Sequence, residues 1–63
     1  MRVNGKEVCY EPVTLLEYLR RGGYDPGHVV IERNMEIITK ERFGEIVPDS
    51  NDEINILQFM GGG

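Results

Sequence analysis

Few residues in this 63-residue chain have side chains that do chemistry, and none is placed beside a partner that would activate it. The single cysteine, Cys9, stands between Glu7 and Glu11. With acidic neighbours and no base close to it in sequence, it lacks what makes a thiol a nucleophile. The single histidine, His28, follows Gly27 without a second histidine or a cysteine at ligand spacing, and reads as a surface residue without a partner. No Cys/His set has metal-ligand spacing, so no metal is expected. Arg20 and Arg21 form a basic pair, but at the end of a helix the dipole disfavours a bound anion, and capping is the better reading. What remains is the end of the chain, Met60-Gly61-Gly62-Gly63. Three glycines leave the backbone free in φ and ψ, carry no side chain and present one carboxylate. Extended, they reach roughly 10 Å at about 3.3–3.6 Å per residue, far enough for another protein's active site to handle the Gly63 carboxylate while the body stays outside. A frayed end or an expression remnant is the competing reading of the same tail.

The elements before the tail must present it. Asn4-Gly5 is a strong two-residue hairpin signal, and it joins two short arms within residues 1–10. Val13, Leu16 and Leu19 then recur at helical spacing with Leu15 beside them. Two starts compete for this helix: Pro12 at the first helical position, or the capping box Thr14-Leu15-Leu16-Glu17. The Pro12 start is preferred because it keeps Val13 on the buried stripe. Gly22 and Gly23 supply a left-handed stop. After the turn Tyr24-Asp25-Pro26-Gly27, the β-branched run His28–Arg33 predicts a central strand buried on much of both faces. Asn34-Met35 links it to a short strand, Glu36–Ile38; Thr39–Phe43 reads as one capped helical turn anchored by Phe43, which Gly44 ends.

The last strand, Glu53 to Met60, alternates so that Ile54 and Ile56 face the core. Continuing that period places Leu57 and Phe59 on the opposite face, next to the tail. They would form an exposed docking patch with Met60, unless a β-bulge near Leu57 reverses the parity and buries them. Burial of Phe59 to below about a tenth of its surface would remove the patch.

Composition narrows the class. A chain of this length forms one domain, here residues 1–60 with 61–63 as a flexible tail, and has no room for a deep substrate cavity. Seven Lys and Arg against eleven Asp and Glu give a net charge of −4. The bases are scattered, so nucleic-acid binding has little support, and a partner with a basic surface fits better. No apolar run approaches 18 residues and no signal segment precedes the first strand, which predicts a soluble cytoplasmic protein without membrane association.

The order hairpin, helix, strand, short strand, helical turn, final strand is an α+β arrangement. It resembles the ubiquitin-like β-grasp, a mixed sheet with one main helix packed on one face. With a strand leading to a terminal Gly-Gly, the chain resembles the ThiS-type sulfur carriers, relatives of the molybdopterin-synthase small subunit MoaD. The likeness rests on Asn4-Gly5-Lys6, Leu15-Leu16-Glu17-Tyr18-Leu19, Glu32-Arg33-Asn34, Asp52-Glu53-Ile54 and Phe59-Met60-Gly61-Gly62-Gly63. Of these, only the terminal Gly-Gly is diagnostic of function. The resemblance implies a carrier rather than an enzyme, with no bound cofactor. A ThiF-like adenylating enzyme would use ATP to activate the Gly63 carboxylate, with Gly61 and Gly62 as its access route. Sulfur originating from a cysteine desulfurase would convert it to a thiocarboxylate, and thiazole synthase, ThiG, would take the sulfur for thiamin. The molybdenum-cofactor branch, a ubiquitin-like modifier that acylates lysines, and a plain interaction module remain as alternatives. Relatives often have Asn-Gly where this chain has Asn34-Met35; because methionine at positive φ is costly, that turn is expected to change type or to place only Asn34 in the left-handed region.

Overall fold

The computed structural model describes residues 1–59; Met60 and the three glycines, with the readings that fall on them, lie outside the described residues. The five strands are β1 (Arg2–Val3), β2 (Lys6–Glu7), β3 (Val29–Arg33), β4 (Glu36–Ile38) and β5 (Glu53–Gln58). They form one sheet in the order β2-β1-β5-β3-β4. First and last strands pair in parallel, Val3 opposite Ile54, and the other pairings are antiparallel, so the sheet is mixed. One helix, α1 (Leu15–Arg21), lies over it. This is the β-grasp architecture expected from the element order. β5 occupies the middle of the sheet, and β3, expected as a central strand, is interior too, between β5 and β4.

The first turn forms as its residues require. Asn4 and Gly5 both have positive φ, 53° and 82°, between Val3 and Lys6, which pair directly. The arms are shorter than expected: β2 ends at Glu7, with one further bond from the Val8 N–H to the Met1 carbonyl at 3.0 Å.

The helix begins at Leu15, not Pro12. Thr14 is its N-cap, and its hydroxyl accepts the Glu17 N–H at 3.1 Å. The cap thus takes up one of the N–H groups that the first turn leaves without a carbonyl. The shorter helix buries Leu15 and Leu19, an i, i+4 pair, while Leu16 is half-buried and Val13 stands before the helix. The C-terminus is a Schellman motif: the Tyr24 N–H donates to the Leu19 carbonyl and the Gly23 N–H to that of Arg20, with Gly23 at φ 80°. Gly22 keeps right-handed geometry, so the left-handed residue is Gly23 alone.

The core between helix and sheet joins Met1, Val3, Leu15, Leu19, Val29, Ile31, Ile38, Phe43, Ile46, Ile54 and Ile56. Phe43 closes it from a 3-10 turn over Lys40–Arg42, as its anchor role predicts, although Thr39 makes no side-chain cap bond there. In β3 only Val29 and Ile31 are buried, because the second face of the sheet has no layer over it. The expectation of burial on both faces fails for that reason.

The β3–β4 turn departs from the sequence expectation. Both Asn34 (φ 50°) and Met35 (φ 71°) are left-handed. Arg33 pairs directly with Glu36, which leaves two residues for the reversal, and with positive φ at both the turn takes the type I′ form, whose twist matches the flanking strands. Asn34 is further tied from outside the hairpin: its side chain donates to Asp52 and accepts the Glu53 N–H. Met35 is 90% exposed, so its side chain packs on nothing that would oppose this conformation.

Candidate functional site: the end of the central strand

The site is built on the last turn of backbone before the glycine tail. β5 pairs with β3 without interruption, from Arg33 opposite Ile54 to Val29 opposite Gln58. A bulge would break that constant register, and there is none, so the alternation carries through to the end. Ile54 and Ile56 are buried, whereas Leu57 is 66% exposed and Phe59 49% exposed. Phe59 therefore passes the burial test set for the patch. Strand pairing extends one step beyond Gln58, since the Phe59 N–H donates to the His28 carbonyl at 2.9 Å.

This register lays cross-strand pairs on the open face of the sheet. Glu32 stands opposite Asn55, whose amide donates to its carboxylate at 3.2 Å. Val30 stands opposite Leu57, and beyond them the His28 ring meets the Phe59 ring edge-on, with centroids 5.8 Å apart and planes at 76°. Ile37, paired with Glu32 from β4 and also exposed, borders the same surface. Side chains directly opposite on one face hold each other in place. The apolar part, Val30, Leu57 and Phe59, ends where the tail begins.

His28 is not partnerless. Its Nδ1 lies 2.6 Å from Asp25 Oδ2. The Asp25 carboxyl is held below the usual carboxylate range, first by this hydrogen bond and then by the Gly27 N–H. An ionised carboxylate only accepts, so His28 Nδ1 carries the proton and donates. Asp25 also caps the 3-10 turn Pro26–His28 through Oδ1, which accepts the Gly27 N–H at 2.9 Å. A carboxylate three residues before the histidine, with Pro-Gly between them, was the available signal: Asp-Pro-Gly is a capped turn, and a capped turn brings residues three apart together.

The other sequence candidates stand apart from this site. Cys9 is a free thiol and exposed. Arg21 is engaged within the chain by Glu17 and Glu11, at 3.1 and 3.0 Å. No helix among the described residues is long and apolar enough to cross a membrane.

A mixed five-stranded sheet grasping one helix, with its last strand in the middle beside the first, defines a β-grasp protein of the ubiquitin-like type. The chain belongs to the ThiS family, whose model matches residues 1–63. It is 37% identical over 65 residues to the sulfur carrier protein ThiS of Bacillus subtilis, covering all of this chain and 98% of that one. The thiamine biosynthesis protein ThiS of Geobacter metallireducens has a similar crystal structure, with a TM-score of 0.80 at 29% identity, covering 98% of this chain and 96% of that one. A thiazole synthase of Magnetococcus marinus is 34% identical over 64 residues. That match takes in all of this chain but 20% of the synthase, so the chain spans about a fifth of that relative's length.

Proposed function

We propose that this protein is a sulfur carrier of thiamin biosynthesis, acting through the Gly63 carboxylate. What carries the reading is the family match over the whole of residues 1–63, the glycine terminus included, at full-length similarity to a protein named a sulfur carrier. An α-carboxyl has an ordinary pKa of about 3.3–3.7 and is an anion at pH 7, a poor electrophile. In the reaction proposed, a carboxylate oxygen attacks the α-phosphorus of ATP in a ThiF-like adenylating enzyme and pyrophosphate leaves. A persulfide charged by a cysteine desulfurase then displaces AMP at the acyl carbon through its terminal sulfur, and a thiol reduces the acyl disulfide so formed, releasing the thiocarboxylate and ending in a disulfide with the donor's sulfur. Gly61 and Gly62 keep the approach to that carbon free of side chains. The carrier is a co-substrate and supplies no acid, base or nucleophilic side chain.

Thiazole synthase is the proposed sulfur acceptor. Relatives of that name from Magnetococcus marinus and Paramagnetospirillum magneticum contain a stretch similar to all or nearly all of this chain, which supports a carrier that works beside the synthase. The apolar surface of Leu57 and Phe59, with Met60 following, is proposed to dock on the adenylating enzyme, since whatever surface receives the tail must also meet the strand end that leads into it.

Incubation with ATP, the cognate adenylating enzyme and a sulfur donor is expected to raise the intact mass by about 16 Da, sulfur replacing oxygen. No shift with any cognate activator would defeat the reading, and stable isopeptide conjugates on a tagged chain recovered from cells would mark a protein modifier instead. The glycine route has its own check. Gly62→Val is expected to lower the adenylation rate by about 100-fold or more while the thermal midpoint stays put, because a branched side chain blocks the reacting geometry and not the fold.

A further inference from the structure

The Asp25–His28 pair is a feature of this chain that the proposed reaction does not use. Both side chains are substantially exposed, 58% and 43%, so their ion pair adds little to stability. The geometry nevertheless converges on one residue. Asp25 is fixed by its cap on the Gly27 N–H, and its second oxygen fixes the His28 ring through Nδ1. The ring in turn packs edge-on against Phe59, and the His28 carbonyl accepts the Phe59 N–H. Backbone and side chain of the last described residue are thus both held by His28, and four residues separate Phe59 from the terminal carboxylate.

We infer that Asp25 and His28 are positioning residues that clamp Phe59 and so fix the backbone and ring of the strand end that precedes the glycines in sequence. This inference rests on the sulfur-carrier reading for its purpose. A clamped strand end presents Phe59 in one orientation before the adenylating enzyme is met, so less ordering is left to be done at association. An effect of that kind falls on the carrier's apparent KM and leaves kcat unchanged, since the same contacts are lost from ground state and transition state alike. The role given to both residues is positioning through Phe59, not catalysis.

The test compares the full chain with Asp25→Ala, His28→Ala and the conservative Asp25→Asn. Asparagine keeps an oxygen for the Gly27 cap, and its amide can donate to a His28 ring that has shifted its proton to Nε2. Amide hydrogen exchange in the free carrier reads the clamp without any partner. Exchange at Phe59 is expected to quicken by about three- to tenfold in both alanine variants, the span set by loss of one aromatic contact, with Ile31 and Ile56 unchanged. In steady-state adenylation the alanine variants are expected to raise the carrier's KM by a similar factor at constant kcat, and Asp25→Asn to restore both readouts. Unchanged Phe59 exchange, or faster exchange with unchanged KM, would overturn the clamp. A wild-type chain that no cognate enzyme adenylates would overturn the sulfur-carrier reading, whereas unchanged Phe59 exchange, read without any partner, would overturn the clamp by itself.

Discussion

Asp52 is the one buried charged residue among those described, and it is fully employed. Its carboxylate accepts from Arg33 Nε at 2.7 Å, Asn34 Nδ2 at 2.9 Å and the Asp49 N–H at 2.8 Å. Burial alone would raise this carboxyl, but the three hydrogen bonds and the Arg33 charge outweigh it and hold the group below the usual carboxylate range. The sign of the consequence follows. A carboxyl whose folded value lies below its unfolded value stabilises the fold fully above the unfolded value, near 3.9, and the contribution is lost as pH falls through the folded one. Between about pH 5 and pH 3 the urea midpoint of the wild type should therefore fall more steeply than that of Asp52→Asn, which has no proton to gain. At neutral pH, Asp52→Ala should cost about 2–3 kcal/mol in urea unfolding, because it strands a guanidinium, an amide and an N–H together. An unchanged pH slope in Asp52→Asn would show that the network does not govern acid stability.

At the scale of elements, Met35 is the clearest conflict between local preference and fold. A non-glycine residue in the left-handed region costs roughly 1–2 kcal/mol, and the strand register imposes that cost because Arg33 and Glu36 must face each other. Met35→Gly is expected to stabilise the protein by about 1 kcal/mol, net of the extra freedom glycine has when unfolded, measured by urea or thermal unfolding. The expectation drawn from this dipeptide failed because a two-residue preference was weighed without the three cross-strand pairs and the Asn34–Asp52 bond that constrain it. Helix α1 teaches the converse. Both of its possible starts were legible, and local chemistry settled the matter through the Thr14 hydroxyl; weighing Val13 as a core residue misdirected the choice, since a half-buried valine needs no helix to pack. Asn4-Gly5 was read correctly, and so was the helix stop, with Gly23 alone left-handed, because each signal is complete within a few residues of backbone.

For the whole molecule, the open face of the sheet is where body and partner are proposed to meet. Leu57 points away from the core, so Leu57→Asp is expected to leave stability within about 0.5 kcal/mol and to raise the carrier's KM for its adenylating enzyme by roughly tenfold or more, as loss of an apolar anchor does. Unchanged steady-state kinetics for this variant would place the docking surface elsewhere. The sequence alone determined the element order and the apolar alternation of β5 up to Ile56, since periodicity is a property of the chain itself. Tertiary structure decided what depends on pairing between distant residues: that β5 runs without a bulge and exposes Leu57 and Phe59, that Asp52 locks the β3–β4 turn, and that His28 reaches both Asp25 and Phe59. Only the Asp25–His28 contact had a local signal, in Asp-Pro-Gly; the others arise from contacts between β3 and β5 or the turn beside them, roughly twenty to thirty residues apart, which no local pattern encodes.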